Sequence, residues 1–212
     1  WFLVGCNTLT TETASPFEIT QLQQQWAVDL GESIAQPPVL IKDSLVLLPS
    51  TTPLLTLKAD SGAQHWQLET EAIFWGDSLS ATLDDILLAG ADGRLLALSP
   101  RSGIVDWEIY LEGDVLSPPL LDRYVLFTAT SPFEAETATG AVVFALNAST
   151  GETLWRYKTH STDLLTPARG VDLVYIAGNS DQVAFLYAIS AADGQLRWER
   201  PLDKPSQALS AN

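Results

Sequence analysis

The apolar positions of this chain fall in short runs, and the runs are separated by Asp, Gly, Ser and Pro. The stretch that starts at Leu79 shows the pattern in full. Leu79 to Leu83 leads to a turn at Asp84-Asp85, Ile86 to Ala89 to a turn at Asp92-Gly93, and Leu95 to Leu98 to a turn at Arg101-Ser102-Gly103, after which Val105 to Tyr110 closes the set. Apolar runs this short, bounded by turn formers, predict strands joined by hairpins. The layout recurs as Val39-Leu40-Ile41 with Asp43 and Leu45 to Leu48, as Leu120-Leu121 with Asp122 and Tyr124 to Phe127, and as Val171-Asp172 with Leu173 to Ile176. Each aspartate is read as a turn former. Prolines fall at strand starts, where no ladder donor is needed. The expectation is an all-β chain made of units of four short strands, with no helix.

A second pattern sets the period. Trp26, Trp66, Trp107, Trp155 and Trp198 follow one another at steps of 40, 41, 48 and 43 residues, and Gly62, Gly103, Gly151 and Gly194 each stand four residues ahead of the last four. Pro38, Pro119 and Pro167 keep phase, twelve residues beyond Trp26, Trp107 and Trp155, while Ser78 takes that place in the remaining unit. A repeat of this length means a solenoid, an array or a propeller. A four-stranded antiparallel sheet cannot bury both its faces alone, so neighbouring units must stack, and radial stacking gives a β-propeller. The expected blades span about 37–69, 77–110, 117–158 and 163–200. Each recurrent Trp then has a structural role: its indole covers the next blade, and its N–H needs an acceptor there.

By strand order each Trp lies on the last, outer strand of its blade. Residues 23–30 are therefore expected to supply an outer strand to a blade whose three inner strands come from elsewhere. The sequence ends at Asn212, shortly after Trp198. The expectation is four complete blades of a roughly eight-bladed ring, with two raw edges.

These residues carry a family resemblance. Ala145-Leu146-Asn147-Ala148-Ser149-Thr150-Gly151-Glu152-Thr153-Leu154-Trp155 resembles the tryptophan-docking motif of PQQ-type β-propeller repeats, a family that includes quinoprotein dehydrogenases and the non-enzymatic BamB lipoproteins of outer-membrane β-barrel assembly. The other copies depart from it, with Lys58, Ser99 and Ser190 where the family prefers Asp or Asn, and Ser61, Ser102 and Asp193 where it prefers Thr. The resemblance runs from Trp26 to about Trp198.

At the amino end, Leu3-Val4-Gly5-Cys6 matches a bacterial lipobox, with residues 1–5 as the end of a signal segment and Cys6 as the lipid attachment site. The chain has no Met, which suggests that the sequence lacks its start. A polar, Thr-rich tether over residues 6–22 leads from Cys6 to the first repeat Trp. Acylated lipoproteins are anchored to a membrane rather than spanning it. Asn7 after the Cys points to the outer membrane, facing the periplasm, or to the cell surface in a single-membrane source.

The net charge of −15, from 26 acidic and 11 basic residues, argues against nucleic acid and against an anionic lipid surface, since both require clustered Lys or Arg. A hydrophobic fraction of 46% in 212 residues is ample for a packed core. The lone cysteine excludes an intrachain disulfide, so stability must come from packing. His65 and His160 lack a second His, a Cys or paired carboxylates at metal-ligand spacing, and no catalytic, cofactor or metal site is expected. The third unit inserts Thr130 to Gly140 between its second and third strands. This is read either as a tolerated surface hairpin or as a partner-contact loop, with Phe133 as apolar anchor flanked by Glu134 and Glu136.

Three functions compete. The resemblance to BamB implies a non-catalytic, membrane-anchored scaffold that binds protein partners, among them components of the β-barrel assembly machinery. The resemblance to quinoprotein dehydrogenases implies a propeller that cradles PQQ and calcium, although that class commonly holds its quinone against a vicinal Cys-Cys disulfide, and this segment has no such pair. A generic surface-anchored binding propeller would use the same residues. Fold alone cannot choose among them, and the scaffold is favoured on the lipobox, the tether and the catalytically blank repeats.

Overall fold

The computed structural model describes residues 24–34, 36–50, 54–68, 78–82, 84–90, 92–115, 119–131, 140–180 and 183–202. All regular structure among them is β. The first sheet orders β1 (Val39–Ile41), β2 (Ser44–Leu47), β3 (Leu55–Lys58) and β4 (Gln64–Gln67) in sequence, each antiparallel to the last. The second repeats this with β5 (Leu79–Ala81), β6 (Ile86–Ala89), β7 (Arg94–Leu98) and β8 (Val105–Tyr110). The third contains β9 (Asp114–Val115), β10 (Leu120–Asp122), β11 (Val125–Ser131), β12 (Val142–Asn147) and β13 (Thr153–Lys158). The fourth contains β14 (Asp163–Leu164), β15 (Ala168–Arg169), β16 (Leu173–Ser180), β17 (Val183–Ser190) and β18 (Leu196–Leu202). This is part of a β-propeller built from four-stranded antiparallel sheets.

Sheet 2 explains the near-continuous apolar runs. Alternate residues of a strand point to opposite faces, and in this sheet both faces are covered. Ile86, Leu88, Leu96 and Leu98 pack with Ile41, Val46, Leu48 and Leu54 of sheet 1. Leu87, Ala89, Leu95 and Ala97 pack with Leu126, Val142, Phe144 and Leu146 of sheet 3. The opposite face of sheet 3, with Phe127, Ala129, Val143 and Ala145, meets Val174, Ile176, Tyr187 and Ile189 of sheet 4. A polar link also ties sheets 1 and 2 at their inner ends. The buried Gln36 side chain, just before β1, donates to the Leu79 carbonyl (3.1 Å) and accepts from the Leu79 N–H (3.0 Å) of β5.

Four details differ from the sequence reading. Residues 24–30 join no strand, because a strand exists only through pairing and no inner neighbour for them lies among the described residues. The innermost strands of sheets 3 and 4 are each in two pieces, since β9 and β10 both pair with β11, and β14 and β15 both pair with β16. Pro119 and Pro167, which have no N–H for a ladder, lie between the pieces. Val171-Asp172 form a turn, with Val171 89% exposed, and the paired residues are Ala168 and Arg169 before it. Finally, Thr130 and Ser131 belong to β11, pairing with Val115 and Asp114, so the insertion begins beyond them.

Candidate interaction surface

The third and fourth strands of every sheet are joined by the same turn. Gly62, Gly103, Gly151 and Gly194 adopt φ of 68°, 68°, 72° and 71°, a left-handed conformation that glycine enters without steric penalty. Each donates its N–H to the carbonyl four residues back, on Lys58, Ser99, Asn147 and Ser190, at 2.8–2.9 Å. A bulge follows at one place in all four sheets, between Thr56/Leu57, Ala97/Leu98, Ala145/Leu146 and Ala188/Ile189. It sets a small residue directly across from the repeat Trp, through the pairs Thr56↔Trp66, Ala97↔Trp107, Ala145↔Trp155 and Ala188↔Trp198.

Four of the five repeat tryptophans lie on the glycine turn of the next sheet. Trp26 Nε1 donates to Ala59 O (3.1 Å), Trp66 to Pro100 O (2.8 Å), Trp107 to Ala148 O (3.0 Å) and Trp155 to Ala191 O (3.0 Å). The acceptor is each time the residue three before the glycine. A Cβ built on Gly62, Gly103, Gly151 or Gly194 would approach the facing indole to 2.6–2.7 Å, so the absent side chain is what lets the ring lie flat on the turn. Trp26 makes this contact although its segment is in no sheet, and Val28 lies beside it on Gly62. Trp198 instead carries the Arg200 guanidinium 5.5 Å from its ring centroid, with the Tyr175 ring at 6.0 Å. The fixed offset from acceptor to glycine was present in the repeat, but pattern alone does not say that a carbonyl is what the indole seeks.

The turns between first and second strands lie at the same end of the sheets as the glycine turns. Backbone bonds tie the two, from Ala59 N to Asp43 O, Ala148 N to Tyr124 O and Ala191 N to Asp172 O, at 2.9–3.0 Å. In sheet 2 the donor position is Pro100, which has no N–H, and Asp85 O accepts from Thr82 N instead (2.8 Å). The Thr82 hydroxyl also accepts the Asp84 and Asp85 N–H groups, so threonine shapes that turn as much as the aspartates do. Ion pairs bridge neighbouring sheets here, Lys42 to Asp84 (3.0 Å) and Arg169 to Asp122 (2.7 Å). Arg169 also donates to the carbonyls of Gly170 and Leu173, bracing the turn that carries Val171.

His65 is exposed, with Nδ1 at 3.4 Å from the Ser44 hydroxyl, which is itself buried, and His160 is exposed. Among the described residues no three His, Cys, Asp or Glu side chains converge as metal ligands. The inner-turn carboxylates Asp84 and Asp122 are each paired with a cation, Lys42 and Arg169. Burial together with the neighbouring Asp106 carboxylate raises the Asp85 pKa above 3.8. Cys6, Phe133, Glu134 and Glu136 lie outside the described residues.

A family model described as outer membrane protein assembly factor BamB matches residues 57–211. The chain belongs to this family of PQQ-type repeats. It is similar to the outer membrane protein assembly factor BamB of Nitrosomonas eutropha, 26% identical over 189 residues that cover 85% of this chain and 42% of that protein. It is also similar to the BamB of Shewanella oneidensis, 22% identical over 237 residues, covering 96% of this chain and 56% of that protein. The chain thus spans about half the length of the curated relatives it matches. Among solved structures, quinohemoprotein alcohol dehydrogenase from Comamonas testosteroni superposes with a TM-score of 0.63 at 14% identity, covering 82% of this chain and 35% of that one. That likeness concerns the fold alone.

Proposed function

We propose that this chain is part of a non-catalytic β-propeller scaffold that serves the assembly of outer-membrane proteins. The observation that carries this reading is the BamB family match over residues 57–211, on a fold whose recurrent aromatic residues are engaged in packing one sheet on the next. In this reading the four sheets are half of a roughly eight-bladed ring. Cys6 carries a lipid that holds the propeller at the periplasmic face of the outer membrane, and protein partners of the assembly machinery bind its loops and strand edges, including the insertion around Phe133, Glu134 and Glu136. No cofactor takes part.

The test is to express the complete reading frame with its own signal, purify the product from membranes, and record intact mass, absorption spectrum and co-purifying proteins. Acyl chains on Cys6 together with a co-purified β-barrel assembly component support the scaffold. A product without lipid that carries a quinone chromophore and calcium overturns it in favour of a dehydrogenase. Deleting residues 133–139 should weaken capture of the assembly component, and unchanged capture removes the insertion from the contact surface.

A further inference from the structure

The turn between the first two strands has two tip residues, Lys42-Asp43 in sheet 1, Arg123-Tyr124 in sheet 3 and Val171-Asp172 in sheet 4, and Asp84 holds the second place in sheet 2. The second tip residue is thus aspartate in three sheets and tyrosine in sheet 3. Aspartate is the better turn former, and the exchange leaves Tyr124 78% exposed. The first tip residue, Arg123, adopts φ of 56°. Lys42 has the same conformation at the same place (φ 55°), and no other non-glycine among the described residues has a positive φ. That region carries a steric cost for any side chain. Lys42 uses the position to reach Asp84 of the next sheet. Arg123 is exposed and forms no ion pair with a carboxylate among the described residues, and the bridge from sheet 3 to sheet 4 is made by Asp122 and Arg169 instead. Arg169 also fixes where the two tips stand. It holds the Asp122 carboxylate at 2.7 Å, next to Arg123, and the carbonyls of Gly170 and Leu173 on either side of the exposed Val171-Asp172 tip.

From this we infer that the tips carrying Arg123, Tyr124 and Val171 form a contact surface for a protein partner, whose docking segment presents an apolar side chain beside a carboxylate. The inference rests on the scaffold reading for the existence of a partner, and adds one contact and its chemistry. Two local rules of the fold are broken at one turn, by a tyrosine in place of a turn former and by a left-handed arginine with nothing to hold. Neither side chain gives the fold a hydrogen bond or ion pair among the described residues, so the gain lies outside it. Tyrosine and arginine are also the residue types that concentrate binding energy at interfaces, and tips already braced by Arg169 lose little freedom on docking. The apolar side chain packs against the Tyr124 ring and the Val171 methyls, and the carboxylate meets the Arg123 guanidinium with paired hydrogen bonds. Asp172, exposed beside Val171, sets the orientation, because the incoming carboxylate must enter on the Arg123 side. The net charge of −15 opposes an acidic segment at a distance, so the carboxylate is read on contact.

The experiment uses the full translation product of the reading frame. The probe is a labelled synthetic hexapeptide that holds phenylalanine beside aspartate in a Gly-Ser frame, with asparagine for aspartate in its control, and binding is followed by fluorescence anisotropy. The expected result is saturable binding that weakens about fivefold or more with the control peptide and in R123G, Y124N and V171S. It should be unchanged in Y110S, since Tyr110 is also exposed but lies at the opposite end of its sheet, across from Arg94. R123G and Y124N ease the turn, so their Tm should equal or exceed that of wild type. Absence of saturable binding, equal binding of the asparagine control, or an equal loss in Y110S overturns the proposal. A lower Tm in R123G or Y124N also overturns it, by assigning those side chains to the fold. None of these results bears on acylation of Cys6 or capture of the assembly component, so the scaffold reading stands or fails separately.

Discussion

Trp107 and Trp198 occupy the same place in their sheets, yet they sit in opposite surroundings. Trp107 is 9% exposed, clamped between Gly151, Ile109 and the Ala148 carbonyl, within a cluster drawn equally from sheets 2 and 3. Trp198 is partly exposed on sheet 4, with an arginine laid over it. The pairing within the sheet is the same in both cases, Ala97↔Trp107 and Ala188↔Trp198, each followed by a bulge. The difference shows that the repeat motif builds the sheet and aims the indole, while the energy of that indole comes from the neighbour it meets.

The largest effect should come from removing a clamped indole. Trp107→Ala is expected to destabilise this chain by roughly 3–5 kcal/mol, the range for truncating a buried large aromatic, with the lost hydrogen bond included. Trp198→Ala in the same chain should cost about 1 kcal/mol, the scale of an ordinary point mutation away from a packed seam. Urea denaturation of both variants measures the gap. Equal losses would show that the tryptophans act within their own sheets and that seam packing contributes little.

The glycine on the far side of the seam gives the next comparison. Gly151 and Gly31 both adopt φ of 72°, but a Cβ on Gly151 would lie 2.6 Å from the Trp107 ring, whereas a Cβ on Gly31 would meet nothing within 4 Å. Gly31→Ala should therefore cost only the left-handed backbone penalty, roughly 1–2 kcal/mol. Gly151→Ala adds the displacement of the indole and should exceed it by about 2 kcal/mol. If the two substitutions cost the same, the ring does not depend on the missing side chain, and the turn conformation alone accounts for the glycine.

Much of this was legible in the residues. Equal spacing of Gly and Trp exposed the period, and short apolar runs bounded by Asp and Gly exposed the strands. Both signals are local, and both repeat. What stayed hidden depends on partners. Asp114-Val115 and Asp163-Leu164 are two-residue pieces that count as strands only because Thr130, Ser131, Gly178 and Asn179 lie opposite them. Residues 24–30 carry a strand-like Trp signal but have no strand beside them to pair with among the described residues. The face assignments of Leu87 and Leu88 could not be read from the run Ile86-Leu87-Leu88-Ala89, since a strand buried on both sides has no polar face to mark its phase.

Smaller effects sharpen the contrast between well-packed and ill-satisfied positions. Thr128 is fully buried in sheet 3 and its hydroxyl has no hydrogen-bond partner among the described residues, whereas Thr130, two residues along the same face, donates to Glu112 O at 2.7 Å. Thr128→Val keeps the branched shape and removes an unpaired polar group, so it should raise stability by about 1 kcal/mol. Thr130→Val breaks a bond and leaves the Glu112 carbonyl short of its donor, so it should lower stability by a similar amount. Thermal melts of the pair decide the matter, and a shared sign would break the comparison.

The smallest effect depends on pH. The Asp85 pKa is raised above 3.8, chiefly by burial and then by the Asp106 carboxylate, with the Thr82 hydroxyl opposing. A carboxyl whose pKa is higher in the folded chain binds its proton more tightly there, so its contribution favours folding at low pH and is lost as pH rises from 3.8 through the folded value. At neutral pH Asp85 is thus a mild burden, unlike Asp122, which is paired with Arg169. Asp85→Asn should stabilise the chain at pH 7 by only about 0.5 kcal/mol, because the group is largely solvent-screened. The gain should vanish below pH 3.8, where the wild-type carboxyl is protonated whether the chain is folded or not. Denaturant midpoints at pH 3 and pH 7 provide the measurement. A gain that is as large at pH 3 as at pH 7 would assign the benefit to the amide's hydrogen bonds and not to relief of charge.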